Sequence, residues 1–418
     1  HRFCKKLTIF ANDYGENFPI GLQITNELVM RFADIAGQRR LINSLIDAVE
    51  SHRVPHAQLF AGAEGYGAFA LAWAYAQFVS CTDKQHYHTS SPEELKADSC
   101  GKCPSCVKYQ KLAHPDLHLV FPTTTTKKID KNNESALFMD LFRDFVIEKN
   151  GYIDIDSWLE YIKSDNKQGE INVRDANSII GSLTLTVYES PYKLMIIWCA
   201  DRMRHDAAPK ILKILEEPYD GTLFLLVSAN TEAILPTILS RVQLVKVLPI
   251  ESGAIASYLT AKRGLSQTDA QMVAESSSGS MLRALNYDGK EQRDIVSLFI
   301  EWTRAAFQYA QKASEILAIS EKFAKLSREK QKIFLLTCSE LMRECFMHKT
   351  QRQVCENLFP KENENFQNNF SKYLNENNIR NIYNLIEQAL GNVMRNANSK
   401  ILFFDLTIQI GKQLKEGK

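Results

Sequence analysis

A chain of 418 residues has room for two or three domains, each with its own core. With 45% hydrophobic and 24% charged residues it has the composition of a globular protein, and a net charge of +1 excludes a chain held to nucleic acid mainly by bulk electrostatics, though not one with a local basic face. No apolar run approaches the roughly 18 residues of a membrane span, and nine cysteines without an export signal point to a reducing cytoplasm.

Residues 1–29 read as a poorly structured extension. They begin basic, but their apolar core is about five residues, too short for a signal peptide. Met30 is the first convincing start, so the segment reads as non-native, a genuine N-terminal arm being the alternative. Gln38 to Glu50 then carries Leu41, Leu45, Ile46 and Val49 at the spacing of one helical face. "AQLFAG" reads as a short strand, and Ala68 to Val79 as a helix rich in alanine and aromatics. Strand, glycine turn and helix are the setting of a phosphate-binding loop, G-x-x-x-x-G-K-[ST], which holds phosphate on backbone N–H groups at the helix N-terminus. Gly62 and Gly67 fall on the two glycines of that pattern, with Gly65 between them. Ala68 stands where the lysine belongs, and Phe69 where the Mg²⁺-binding hydroxyl belongs. The loop has the outline of a nucleotide site without its working side chains, so no ATP is expected there.

"KLMIIWCA" and "GTLFLLVSAN" follow as near-continuous apolar strands of the parallel-sheet type. Between them "DAAPKILKILEEP" is a helix closed by Pro218. After the first of these strands an ATPase would carry an adjacent Asp-Glu pair to bind metal and polarise water. Here the chain reads Cys199, Ala200, Asp201, Arg202. The order of elements predicts an α/β, doubly wound, parallel-sheet domain over 30–249, with an insertion at 123–170 that opens on a polar tract and turns helical around Leu137 to Val146. From about Ile250 the pattern is helical. It predicts a small helical lid at 250–290 and an all-helical domain at 291–418.

"CGKCPSCVKY" places Cys100, Cys103 and Cys106 in a C-x-x-C-x-x-C run, with Cys81 upstream at the end of the loop helix. Two successive x-x spacings let three thiolates converge on one ion, and a distant fourth completes a tetrahedral Zn²⁺ shell with no open position, hence a structural site. An iron–sulfur cluster is the rival, although the ferredoxin run's C-P ending is missing. Unliganded thiols are the bland alternative, and His86, His88 or His114 could stand in for a sulfur.

Taken together, "FADIAGQ", "PHAQLFAGAEGYG", "CGKCPSC", "HPDLHLVFP", "YKLMIIWCADRM", "KILKILEEP" and "ILPTILSRV" occur in an order that resembles the delta-prime subunits of the bacterial DNA polymerase III clamp loader, members of the AAA+ superfamily. The likeness runs from about Met30 to Leu285; the last third matches only in being helical. It implies an AAA+ (P-loop NTPase-like) domain with a zinc module (81–106), a lid and an oligomerisation collar. It also implies a hetero-pentamer with gamma/tau-type ATPase subunits and a delta subunit, reaching primer-template DNA and the sliding clamp through the complex. Such subunits are commonly defective at the loop. The S-R motif at Arg241 implies an arginine finger offered in trans to a neighbour's γ-phosphate, a task that suits the planar, always-charged guanidinium; Val242 departs from the usual Ser-Arg-Cys. The bland reading of Arg241 is a surface ion pair.

Arg283 falls where AAA+ lids carry a nucleotide-reading arginine, and without nucleotide a structural ion pair is expected of it. Arg202, Arg204, Lys210 and Lys213 are candidates for DNA phosphates or simply a solvated face, and Glu216 and Glu217 read as helix-end structure. The expectation is a non-catalytic clamp-loader subunit. The rivals are an active gamma/tau-type ATPase and a zinc-dependent DNA-binding regulator.

Overall fold

The computed structural model describes residues 30–89, 91–126, 129, 133–164, 169–184, 186–287, 289–349, 359 and 363–416. The extension expected at 1–29 and part of the polar tract in the insertion lie outside them.

The α/β region begins with α1 (Arg39–Glu50), whose apolar stripe buries Ile42, Leu45 and Ile46. β1 (Ala57–Ala61) runs through the glycine loop into α2 (Ala68–Ser80). All thirteen residues of α2 are buried, which is why its sequence is apolar on every side rather than on one. A short antiparallel pair, β2 (Gln85–His86) and β3 (Ala97–Asp98), precedes α3 (Pro104–Gln110) and β4 (Leu117–Val120). The insertion contributes α4 (Met139–Glu148) and α5 (Ile155–Tyr161), followed by α6 (Val173–Leu183). Then come β5 (Lys193–Trp198), α7 (Ala208–Glu216), β6 (Thr222–Ser228), α8 (Pro236–Leu239) and β7 (Gln243–Lys246).

Five strands form one parallel sheet in the order β4-β5-β6-β1-β7. β5 alternates between the two faces: Leu194, Ile196 and Trp198 join the α2 side, while Met195 and Ile197 join the side covered by α6 and α7. Two of the five strands had no counterpart in the sequence reading. β4 is four residues interrupted by His118, and β7 is an edge strand with only Val245 buried. Neither gives the long apolar run that marks the central strands.

β1 sits between strands that the chain reaches by opposite routes, so the crevice at its carboxyl end is a topological switch point. Three further helices, α9 (Ser252–Arg263), α10 (Gln267–Ser276) and α11 (Met281–Leu285), close over that end around their own apolar cluster. The remaining helices are α12 (Gly289–Phe307), α13 (Ala313–Lys325), α14 (Arg328–Lys349), α15 (Glu364–Phe370), α16 (Glu376–Met394) and α17 (Ser399–Glu416). They pack about a separate core that holds Trp302, Phe323 and Phe403. No helix among the described residues is long and apolar enough to cross a membrane.

Candidate nucleotide cleft, cysteine cluster and surface arginine

At the end of β1 the loop turns as a phosphate loop does. Gly65 (φ +87°) and Gly67 (φ +86°) occupy the left-handed region open mainly to glycine, and α2 starts directly after Gly67. Both also meet close neighbours. A Cβ on residue 65 would run into Ser280 of the lid, and one on residue 67 would come within 3.0 Å of the Tyr152 ring. The cleft bounded by the loop, the end of β5 and the end of β6 has a volume of about 40 Å³. That is room for water molecules, whereas ligand pockets run to about 300–1,000 Å³.

What fills it is the insertion. Gly151, Tyr152, Ile153 and Asp154 line the cleft beside Gly62, Gly67, Ala68 and Phe69. Tyr152 is 2% exposed, and its hydroxyl accepts a hydrogen bond from the Ala36 N–H at 3.1 Å. Phe69 sits edge-on to Phe142 of α4 (6.0 Å) and Trp198 of β5 (6.3 Å). Phe142 stacks in turn on Phe121 at 3.8 Å. The position that would carry a metal-binding hydroxyl is therefore part of an aromatic core. Ala68 is buried as well.

The acidic remnant is also engaged. Asp201 accepts a hydrogen bond from Ser228 Oγ at 2.6 Å, and Cys199, where the strand leaves the sheet, holds φ +53°. Glu64 lies inside the loop itself. Burial raises its carboxyl above the ordinary range, with the Lys332 ammonium opposing.

The four cysteines come together. The Sγ atoms of Cys81, Cys100, Cys103 and Cys106 all lie within 4.8 Å of one another, with Cys81–Cys100 at 3.7 Å and Cys100–Cys106 at 4.0 Å. A tetrahedral shell with metal–sulfur bonds of about 2.3 Å has sulfur–sulfur edges of about 3.8 Å. Donor set and spacing fit a single ion. Backbone N–H groups of Cys100, Cys103 and Cys106 point at sulfurs at 3.3–3.4 Å, the arrangement that favours thiolates. A hydrogen bond from Cys106 outweighs burial and pulls the Cys81 thiol down to about 5. Of the three histidines considered as substitutes, His86 pairs with Glu50 (3.0 Å) and His114 faces Glu189 (3.0 Å), and none joins the four-sulfur group.

Next to this cluster, the "HPD" turn has a physical role that the sequence did not show. Buried Asp116 accepts hydrogen bonds from the N–H groups of Tyr188, Glu189 and Ser190 at 2.6, 2.8 and 2.9 Å. It fixes the loop that leads into β5. Burial alone would raise its carboxyl; the three donors and His114 hold it below the usual range.

Arg241 follows α8 on the surface, apart from the residues that line the chain's own cleft. Its guanidinium donates to Thr237 O (2.8 Å) and Ser240 Oγ (2.9 Å) and pairs with Glu216 Oε1 at 2.5 Å. It borders an open hollow of about 660 Å³ with His56, Leu215 and Val242. Arg283 pairs with Glu340 of α14, and Arg204 with Asp206 (3.0 Å) and Glu170 (3.9 Å).

A five-stranded parallel sheet with a central first strand, a glycine loop at its switch point and a helical lid above define an AAA+-like module. Residues 37–251 match the family described as DNA polymerase III, delta subunit; the chain belongs to that family. It is similar to the DNA polymerase III subunit delta' of Bacillus subtilis (28% identical over 53% of this chain and 51% of that one). It is likewise similar to the subunit delta' of Pseudomonas aeruginosa (27%, over 59% and 60%). The subunit tau/gamma of Haemophilus influenzae matches at 24% over 54% of this chain and 25% of its own length. The matched stretch thus spans about half the length of the first of these relatives and less than two thirds of each.

Proposed function

We propose that this chain serves the clamp loader without turning over ATP itself, and that it helps load the sliding clamp onto primed DNA by offering Arg241 in trans to a neighbouring ATPase subunit. The observation that carries this reading is the nucleotide cleft: about 40 Å³ remain, beside Ala68 and Phe69 in place of lysine and hydroxyl. Arg241, by contrast, is a third exposed and borders open space. In phosphoryl transfer an arginine supplied across a boundary acts on the charge of the transferring group. On this reading the α/β domain (30–249) and lid (250–290) form the ring face, and the helical domain (291–418) forms the collar that holds gamma/tau-type and delta subunits in a hetero-pentamer. Contact with primer-template DNA and the clamp then comes through the complex, in the cytoplasm.

The tau/gamma relatives support a second reading, an active ATPase. It conflicts with the missing lysine and the missing Asp-Glu pair.

We also assign a structural zinc ion to Cys81, Cys100, Cys103 and Cys106. Zinc holds four thiolates in a closed tetrahedron and supplies folding energy rather than chemistry. Sulfurs this close surround one ion, whereas an iron–sulfur cluster distributes its cysteines over several metal atoms.

The test of the finger is a reconstituted complex carrying Arg241→Ala. Assembly should be intact. Single-turnover hydrolysis at the one neighbouring site should fall by roughly 10³–10⁵, while total ATPase falls only in part. Wild-type hydrolysis and clamp loading in an intact complex would leave Arg241 a surface ion pair and the chain a scaffold.

A further inference from the structure

The cleft is filled by a segment held from several sides, and that segment also touches the lid. α4 ends in two successive left-handed residues, Asn150 (φ +53°) and Gly151 (φ +71°), which swing the chain back into the cleft. Gly151 lies so close to α2 that a Cβ there would be 3.0 Å from Ala70 Cα. Tyr152 then inserts between the loop and the lid. One part of its ring faces Gly67, the hydroxyl meets the Ala36 N–H, and the Tyr258 ring of α9 packs edge-on at 6.0 Å. Tyr152 belongs to the lid's apolar cluster with Ile250, Ile255 and Leu259, although it comes from the insertion about a hundred residues earlier in the chain. Just beyond it, Asp156 of α5 pairs with Lys332 of α14, tying the same insertion to the helical domain.

A nucleotide on this loop would sit at the α2 N-terminus in the crevice beyond the carboxyl end of β1, where the loop meets the lid. We infer that the Asn150–Tyr152 turn is a built-in ligand of this cleft: Tyr152 occupies the place of a nucleotide and clamps the lid to the loop in one arrangement. The lid angle, which a diffusible ligand could set and release, is set here by a covalently attached side chain. The effective concentration of such a ligand is fixed by its tether and does not vary with ATP. A subunit built this way gives its neighbours a constant surface through a nucleotide cycle. The inference concerns the isolated chain and does not depend on the role of Arg241.

The experiment is hydrogen–deuterium exchange on the full chain, comparing wild type with Tyr152→Ala, Tyr152→Phe and Tyr258→Leu. Removing the ring should lower protection of the lid amides, residues 252–285, by about tenfold or more while those of β1 and β6 stay as in wild type. p-Cresol, the detached tyrosine side chain, should restore that protection in Tyr152→Ala by entering the vacated space. Tyr152→Phe, which keeps the ring, should leave the lid near wild type. Tyr258→Leu removes the same contact from the lid side and should loosen it if Tyr152→Ala does not fold. Millimolar Mg-ATP should leave wild-type exchange unchanged. Wild-type lid protection in both Tyr152→Ala and Tyr258→Leu, equal losses in lid and sheet, or lid protection by ATP in wild type would each overturn the inference.

Discussion

Restoring the two missing side chains of the phosphate loop should not restore nucleotide binding. In the double variant Ala68→Lys, Phe69→Thr, the second change removes a phenylalanine that is 3% exposed and packs edge-on against Phe142 and Trp198. Phe-to-Ala substitutions in such cores cost about 3–5 kcal/mol. Threonine keeps one methyl of that volume but adds a hydroxyl, which costs about 1–3 kcal/mol if it finds no partner. The introduced lysine must place an ammonium in about 40 Å³ of cleft, where it either pairs with Glu64 or is driven neutral by burial. Counting the second change alone as about 4–6 kcal/mol, the domain should melt about 10–20 °C lower. That is a large share of the 5–15 kcal/mol that typically separates folded from unfolded.

The assay is a circular-dichroism melt followed by calorimetric titration with Mg-ATP at a temperature where the variant is folded. The expected result is a destabilised protein with no measurable ATP affinity, because Tyr152 still fills the cleft. A variant that melts within about 3 °C of wild type and binds ATP at micromolar concentration would refute the reasoning. It would mean that the aromatic core yields easily and that the loop lacks only its side chains.

Two further outcomes are expected. Purified under reducing conditions, the chain should carry one zinc per molecule. Stripping it should expose four thiols and change the fluorescence of Trp73, whose indole N–H donates to Tyr109 O at the end of α3 (2.8 Å), before the sheet unfolds; iron, or no metal, in elemental analysis would count against the assignment. Asp116→Asn should cost about 2–4 kcal/mol by spoiling a three-donor cradle. Because the folded-state carboxyl lies below its ordinary range, its contribution is complete above about pH 4 and is lost as pH falls through the folded value, so wild type and variant should converge in acid; a gap unchanged to pH 2 would show that the charge is irrelevant.

The central strands and the loop were legible because each carries a local signal. β1, β5 and β6 are short continuous apolar runs, and glycines between strand and helix identify the loop before any contact is known. The cysteine cluster was legible for a related reason, since the C-x-x-C-x-x-C spacing already confines three donors and Cys81 ends the adjacent helix. β4 and β7 were not legible: one is broken by a histidine, and the other is exposed along most of its length. Tyr152 was beyond reach for a deeper reason. Its partners are Ala36, Gly67 and Tyr258, and no periodicity links residues so far apart in sequence. Asp116 is similar, because its three donors lie more than seventy residues downstream. Local pattern gives elements; which element plugs which cavity is decided by tertiary packing.

The same distinction explains why the loop keeps its outline without its chemistry. In a phosphate loop the lysine and the hydroxyl act only on the ligand, so once the cleft is filled from within, nothing in the fold calls for either. The glycines do a second job. Gly65 and Gly67 hold backbone conformations with φ near +87°, and their bare Cα atoms let Ser280 and Tyr152 come close. A side chain at either position would strain the turn and push away the lid or the plug. Substituting the glycines should therefore damage this protein whether or not nucleotide binds, whereas the residues at 68 and 69 belong to the core. A glycine pattern alone thus reports the shape of the turn, and the side chains that follow it report whether that shape is used on phosphate.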